Sequence, residues 1–251
     1  YLFRKSMITK KKINFIFFIL FSLVTFLILS KLYIDYFNID RHWTSVFDQE
    51  LTFAYNALLF NSGFKHEFID HSAYFTILFL SIFVKISELL NIIEFHNLRT
   101  LFEQNSFDKS FQEVITLTRI YAGISIAIWA VIINILFLKI SKSQIFSFFL
   151  TLVAFSMPGT IEHASQLRTE LMSSIFMVLS LIMIISYFEN ESSKFQNLQL
   201  LFFFIFLYSA ILNKSQIFFF FPFIILFSIF FFRRFNQINF EFLKELNQKK
   251  Y

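Results

Sequence analysis

Hydrophobic positions along this chain form long runs, and they do not alternate with polar positions at a period of two. The first run covers about 13–34 and directly follows a lysine cluster at 10–12. A helix of this length, at about 1.5 Å per residue, crosses a hydrocarbon core of roughly 30 Å. A signal peptide would have a shorter apolar region, followed by a small-residue cleavage site. The run therefore predicts a first transmembrane helix, with the lysines on the cytoplasmic side.

Five further apolar runs predict additional transmembrane helices. They cover about 117–138, 145–157, 171–188, 198–212 and 217–232. The lack of alternation argues against a transmembrane β-barrel. The predicted fold class is therefore all-α: a polytopic α-helical membrane protein with about six transmembrane helices. No internal repeat or linker divides residues 1–251, so they form a single membrane domain.

A long mixed segment, about 35–116, separates the first two predicted spans. It predicts two helical pieces, one over about 44–61 that stops at Ser62-Gly63, and one over about 72–90. The second piece is apolar enough to span a membrane, but Lys85 and Glu88 interrupt its last turns. Both a membrane helix and an interfacial, juxtamembrane helix fit this pattern.

The distribution of basic residues decides between these two interpretations. If residues 72–90 do not cross, the basic residues that flank the spans share the cytoplasmic side with the N-terminus, as the positive-inside rule prefers. These residues are the cluster at 10–12, Lys139, Lys142, Lys194, Arg233 and Arg234. The segment 35–116, the loop around 162–170 and Lys214 then lie on the external side. We therefore expect 35–116 to be a long external loop with juxtamembrane helices.

Composition supports a membrane protein and limits its chemistry. Hydrophobic residues make up 57% of the 251 residues and charged residues 16%, with a mean hydropathy of +0.64. The absence of Cys excludes disulfides, thiol catalysis and Cys-type metal sites. The net charge of +5 comes from residues that flank the apolar runs, so it indicates membrane anchoring and no nucleic-acid partner. The chain begins at Tyr1 and stops in polar sequence, which we interpret as a fragment of a longer protein.

Asp48 and Glu50 are the first candidates for chemistry, because they follow directly after the first span. Asp48, Thr52 and Tyr55 share one helix face by their spacing. These acids could act as a general base or as ligands of a divalent metal ion that binds a phosphate-bearing donor. The alternative interpretation is that they stabilise the N-terminus of a surface helix.

Five further polar residues are predicted on the same external side. Asp70-His71 precede the juxtamembrane helix and could bind substrate or cap that helix. Arg168 and Glu170 open a span, and Lys214 lies between two spans. Arginine donates in pairs to phosphate groups, although charges at these positions can also anchor the chain at the headgroups.

The order of these motifs resembles the GT-C class of membrane glycosyltransferases, in particular the family of protein O-mannosyltransferases and lipid A aminoarabinose transferase. Asp48-Gln49-Glu50 with Tyr55 and the Ser62-Gly63 turn is similar to the acidic motif and helix of that family. Asp70-His71-Ser72-Ala73-Tyr74 is similar to its acid-His/Lys-Pro-Pro-aromatic element, with Ser72-Ala73 in place of the prolines. Further similarities are Arg119 at a helix start, Arg168-Thr169-Glu170 after Pro158, and Asn213-Lys214 before Pro222.

The resemblance implies transfer of a sugar from a polyprenyl-phosphate-linked donor to a glycan, lipid or protein acceptor on the external, periplasmic face. Asp48 would activate the acceptor. Glu50, Asp70 and His71 would shape the site or hold a metal ion, while Arg168 and Lys214 would neutralise the leaving lipid phosphate. Family members are longer, so this chain would be the N-terminal part of such a transmembrane domain.

Three alternatives remain open from the sequence. They are a polysaccharide polymerase or ligase, a lipid-linked sugar transporter, and a non-catalytic membrane scaffold. P-loop, GxGxxG, GxSxG and HExxH motifs are all absent, so nothing indicates nucleotide hydrolysis, a Rossmann cofactor, a serine hydrolase or a zincin.

Overall fold

A computed structural model describes residues 2–38, 41–45, 50–65, 67, 73–104, 106–189, 193–220, 222–224, 226 and 229–230. Helices make up most of these residues, and no strand occurs among them. The α-helices of the described part are α1 (Leu2–Asn38), α2 (Glu50–Asn61), α3 (Tyr74–Leu89), α4 (Leu98–Phe102), α5 (Phe107–Ser141), α6 (Gln144–Phe155), α7 (Pro158–Ser165), α8 (Thr169–Glu189) and α9 (Ser193–Asn213). Short 3-10 helices cover Trp43–Ser45 and Ser215–Phe220.

Four helices of the described part are long and apolar enough to cross a membrane: α1, over Ile13–Tyr36, then α5, α8, and α9, over Phe195–Asn213. A fifth crossing is available if α6 and α7, which meet at 72°, form one broken span. The described part is thus helical, with four or five helices suited to a membrane, as the apolar runs predict. Six spans are not established, because the run at 217–232 starts in a 3-10 helix and lies partly outside the described residues.

The second spanning helix is longer than its apolar run. The sequence predicts a helix over about 117–138, whereas α5 has 35 residues and begins at Phe107. The Ser106 side chain accepts a hydrogen bond from the backbone N–H of Lys109, which caps the helix, and Asp108 lies in the first turn. The helix ends at Ser141, and the C-cap residue Lys142 has a left-handed φ of 58°. The first turns of α5 therefore lie in polar sequence, and they extend the helix beyond the N-terminal end of the apolar run.

The region between α1 and α5 packs as a small helical layer. Of the helix predicted over 44–61, Thr44 and Ser45 belong to the 3-10 helix, while the described residues show α2 from Glu50 to Asn61. Its predicted stop at Gly63 is confirmed: Gly63 has a φ of +81°, and Gly63 N–H and Phe64 N–H donate to the carbonyls of Phe60 and Leu59. This bonding is a Schellman motif. The Asn61 side chain then joins α2 to α3 by donating to the carbonyl of Ser81 at 3.0 Å.

Polar contacts show in which direction each long helix runs. Near the middle of the bundle, Asn134 of α5 donates to the Ser22 hydroxyl of α1 at 2.9 Å. Both Lys139 and Lys142, where α5 ends, contact Glu189, where α8 ends. At the other end, the last residue of α9, Asn213, contacts Thr169 at the start of α8. We call the end where α5 and α8 begin the site end, and the other the opposite end.

Candidate functional site at one end of the bundle

A buried ion pair joins α2 to α5 at the site end. Glu50 and Arg119 are only 0% and 2% exposed. Arg119 Nε lies 3.3 Å from Glu50 Oε1, and Arg119 Nη2 lies 3.3 Å from Glu50 Oε2. Arg41 adds a second guanidinium, with Nη2 at 3.7 Å from Glu50 Oε2. The carboxylate of Glu50 thus lies between two arginines and is inaccessible to solvent.

The electrostatics of Glu50 reflect opposing effects. Burial raises the pKa of Glu50, because it penalises the charged form, while Arg119 and Arg41 both act to lower that pKa. Arg119 also donates from Nη1 to the backbone carbonyl of Arg41 at 2.7 Å. A buried charge that loses its partner is costly, so this group fixes the position of the chain on either side of it.

A second set of bonds holds the segment ahead of Glu50 on α5. The backbone N–H of Trp43 donates to Gln112 Oε1 at 2.7 Å, and its indole N–H donates to Asp108 Oδ1 at 2.7 Å. The Trp43 ring packs on Phe111 in a T-shaped arrangement, with centroids 5.2 Å apart. The substrate-binding candidate Tyr55 lies beside these rings and helps to line a shallow recess of about 300 Å³.

A cluster of half-buried charges surrounds the beginning of α8. Arg168 Nη2 lies 2.7 Å from Glu162 Oε1 of α7, and Lys214 Nζ lies 2.6 Å from Glu170 Oε1. His163 of α7 is half-buried, and its Nδ1 has no hydrogen-bond partner among the described atoms. The cluster therefore presents two cations and two acids at one place, without full burial.

Asn213 holds the helices that carry this cluster. It is 0% exposed, and its side chain bonds α9 to α3 and α8. Its Oδ1 accepts from the Thr76 backbone N–H at 3.0 Å, and its Nδ2 donates to the Thr169 carbonyl at 2.9 Å and the Ser173 hydroxyl at 3.1 Å. Lys214 follows directly, so this buried amide sets where its ammonium group emerges.

An apolar groove lies along α8, the helix whose beginning carries the charge cluster. It has a volume of about 430 Å³ and runs between α3, α5 and α8. Its walls include Phe79 of α3, Ile128 of α5, and Met172 and Phe176 of α8. Met172 follows Arg168 by four positions, about one helical turn, so this wall residue of the groove is close to the charges along the chain.

The structure brings together some of the predicted site residues. Arg168, Glu170 and Lys214 lie in one cluster, while Glu50 and Tyr55 lie on α2. Asp48, Asp70 and His71 are outside the described residues. The sequence patterns indicate no role for Thr76, and they include Asn213 only in the Asn213-Lys214 motif. An amide at the end of an apolar run is a signal for such a role, because a buried polar group needs partners.

A metal site is not evident in the described part of the chain. No group of three or more His, Asp or Glu side chains comes together there in a way that could hold an ion. The acids that are present, Glu50, Glu162 and Glu170, are each paired with a cationic side chain. Within the described residues, these acids therefore do not form a site for a divalent ion.

Comparison with known proteins finds no matching family model, no matching curated protein and no matching solved structure. The resemblance to GT-C glycosyltransferases thus stays a prediction from the motifs. The geometry at the site end is therefore the basis for a proposed function of this chain.

Proposed function

We propose that this chain transfers a sugar from a polyprenyl-phosphate-linked donor to an acceptor at the external face of the membrane. The observation that carries the proposal is the juxtaposition at the start of α8. Two cations, Arg168 and Lys214, lie at the start of α8, and Met172 of the same helix lines an apolar groove among the membrane-embedded helices. A phosphate joined to a long hydrocarbon chain has the matching chemistry, with charge at one end and apolar surface along the rest.

The chemical step needs charge stabilisation on the leaving side. The acceptor oxygen or nitrogen forms a bond to the anomeric carbon of the sugar, and the bond from that carbon to the phosphate oxygen breaks. The lipid phosphate leaves with the electron pair, and Arg168 and Lys214 stabilise its growing negative charge. Their acidic partners, Glu162 and Glu170, hold both cations in place and are half-exposed, so the cations can turn to a ligand.

The acceptor side is assigned to the start of α2. In this proposal Asp48 takes the proton of the acceptor hydroxyl or amine, as the sequence predicts. Glu50 is enclosed by Arg119 and Arg41, so its role is to position the segment that carries Asp48. Tyr55, Asp70 and His71 complete the substrate-binding surface. The acceptor itself is a glycan, a lipid or a protein.

The orientation of the chain follows from charge. With the N-terminus in the cytoplasm, Lys139 and Lys142 at the opposite end also face the cytoplasm, in agreement with the positive-inside preference. The site end then faces outward. Because the chain has no native Cys, single cysteines report the topology directly. We expect an impermeant maleimide, added to intact cells, to label Lys65→Cys but not Ile140→Cys; external labelling at position 140 would reverse the orientation.

The function is tested by replacing the proposed base in the full-length protein. Membranes that contain Asp48→Asn are incubated with a panel of radiolabelled polyprenyl-phosphate sugars, and label transferred to endogenous acceptors is counted. We expect transfer to fall by at least about a hundredfold, as for removal of a general base. Glu103→Gln, which alters an exposed acid paired with Arg99, is the matched control and should keep full activity. Undiminished transfer by Asp48→Asn removes the base assignment.

The polymerase or ligase alternative predicts a different pattern in the same assay. Such an enzyme relies on external arginine and histidine side chains, so Arg168→Gln would abolish its activity while Asp48→Asn would leave it intact. A scaffold would show no transfer with any donor of the panel.

A further inference from the structure

A slot lies between α1 and α5, away from the groove described above. Its volume is about 520 Å³. The two helices approach closely at its wall, since a Cβ atom added to Gly123 would clash with Ile34 Cδ1. On α5 the slot and the groove use different residues, apart from Ile124, which lines both. The slot is therefore a separate recess on the surface of the bundle.

The lining of the slot changes from apolar to charged along its length. Towards the middle of the bundle, Leu27 of α1 and Ile120 and Ile124 of α5 form its walls. Towards the site end the lining combines the apolar side chain of Ile34 with polar side chains, which are Lys31, Asp35, Thr116 and Arg119. This gradient matches an amphiphile that has its chain in the middle of the bundle and its polar group near the helix ends.

The surroundings of the slot identify the kind of chain that fills it. Only 17% of the apolar window of α1 is buried inside the protein, so most of this helix faces lipid. An empty apolar recess at that depth would lose dispersion contacts along its walls. A lipid tail is as apolar as leucine and restores those contacts. A lipid of the bilayer therefore has the chemistry that the slot requires.

The charges at the mouth of the slot select its head group. Lys31 and Asp35 form an i,i+4 pair, with Nζ and Oδ2 2.7 Å apart, and the Lys31 side chain is 75% exposed. Such an exposed pair contributes only about 0–1 kcal/mol, so exchanging it for contacts with a ligand costs little. A ligand that carries both an anion and an ammonium group can satisfy Lys31 and Asp35 together.

We propose that the slot between α1 and α5 binds a phospholipid of the phosphatidylethanolamine type. Its phosphate contacts Lys31, on the side of the slot that Arg119 also lines, and its primary ammonium donates to Asp35. One acyl chain lies against Leu27, Ile120 and Ile124. Of the described residues assigned to sugar transfer, Tyr55, Arg168, Glu170 and Lys214 do not line the slot, whereas Arg119, the partner of Glu50, does. Lipid binding is therefore measured separately from sugar transfer.

The first test fills the slot from α1. Leu27→Trp places a large ring in the recess, whereas Ile28→Trp adds the same ring to the adjacent position, which does not line the slot. Binding of dioleoyl phosphatidylethanolamine to the purified protein in detergent is titrated by native mass spectrometry. We expect Leu27→Trp to weaken binding at least about tenfold and Ile28→Trp to match the parent protein. Equal binding by both variants overturns the site.

The second test addresses the head group and does not depend on filling the slot. The parent protein should bind phosphatidylethanolamine about tenfold more tightly than phosphatidylcholine with the same chains, since a trimethylated ammonium has no N–H to donate. Asp35→Asn should abolish this preference. Glu103→Gln removes the acid of another exposed i,i+4 pair and should keep it.

Each remaining outcome of these titrations also decides the matter. Tightest binding of phosphatidylglycerol, or an unchanged preference in Asp35→Asn, contradicts the assigned head group. If Leu27→Trp fails to fold, Ile120→Trp fills the slot from α5, and normal binding by that variant overturns the proposal. Because the readout is binding, a failure here leaves sugar transfer untouched, and a failure of sugar transfer leaves this site standing.

Discussion

Two ion pairs at the site end look alike in sequence and differ in the folded chain. Each joins a glutamate at the start of a helix to a basic residue far along the chain: Glu50 to Arg119, and Glu170 to Lys214. The Glu50 and Arg119 side chains are 0% and 3% exposed, whereas those of Glu170 and Lys214 are 43% and 19% exposed. The first pair is sealed, and the second remains open to solvent.

The difference in burial implies a difference in role. A sealed pair has already lost its hydration, so breaking it leaves one charge uncompensated in a low-dielectric interior. A half-exposed pair contributes little to stability, because water screens it. Glu50 and Arg119 should therefore act on folding, while Glu170 and Lys214 should act on what binds at the site end. The predictions below test this division.

The largest expected effect comes from neutralising one member of the sealed pair. Glu50→Gln leaves the buried Arg119 without a carboxylate partner. We expect the free energy of unfolding to fall by about 3–5 kcal/mol. Denaturant-induced unfolding of the purified protein in detergent, followed by tryptophan fluorescence, measures the change. Glu103→Gln, at an exposed pair, should stay close to the parent protein.

A double variant separates uncompensated charge from lost packing. In Glu50→Leu combined with Arg119→Met, both charges are replaced by apolar side chains of similar size, which is often neutral for a buried pair. We expect the double variant to recover more than half of the stability lost by Glu50→Gln. A double variant that is no more stable than the single one would show that the cost arises from packing or from the Arg41 carbonyl.

The next effect concerns the amide that supports the open pair. Asn213→Ala removes the bonds to Thr76, Thr169 and Ser173, and we expect the free energy of unfolding to fall by about 1–3 kcal/mol. Asn134 is also 0% exposed, but it donates only to Ser22 among its described contacts and its Oδ1 is unpaired. Asn134→Ala should therefore cost less in the same unfolding measurement. A larger loss for Asn134→Ala would remove the special role of Asn213.

The comparison also shows what local sequence patterns can predict. The membrane-embedded helices could be predicted because long apolar runs report directly on the bilayer. The start of α5 could not be predicted in this way. Its first turns place Phe111, Val114 and Ile115 on one face among polar residues, so the apolar run starts later in the chain than the helix does. Amphipathic turns of this kind lower the local hydropathy without ending the helix.

The site was predictable in part for a similar reason. Charge placement grouped Arg168, Glu170 and Lys214 on one side, and the structure brings them into one cluster. It could not indicate that Glu50 would be sealed by Arg119, because the two are 69 positions apart and burial depends on the packing of α2 on α5. Whether an acid is a helix cap, a base or half of a buried pair depends on such tertiary contacts.

The open pair should show the reverse balance of effects. Lys214→Met is expected to change the free energy of unfolding by less than about 1 kcal/mol. In the transfer assay, however, the KM for the polyprenyl-phosphate sugar should rise about tenfold or more, since a charged hydrogen bond to the phosphate is lost. Lys214→Arg keeps the charge and should recover part of the affinity. A large loss of stability with unchanged KM would assign Lys214 to the fold.

The smallest effect is expected at the opposite end, where Glu189 joins α5 to α8. Its side chain is 24% exposed and contacts Lys139 and Lys142, so by burial alone it resembles the open pair. Glu189→Gln should lower the free energy of unfolding by no more than about 1 kcal/mol. It should leave the KM of the donor unchanged, because Glu189 lines neither the apolar groove, nor the slot, nor the recess beside Tyr55. Equal effects of Glu189→Gln and Lys214→Met on KM would mean that half-exposed pairs act on activity only through the bundle. Distinct effects would show that position beside the groove, rather than burial, makes the Glu170–Lys214 pair functional.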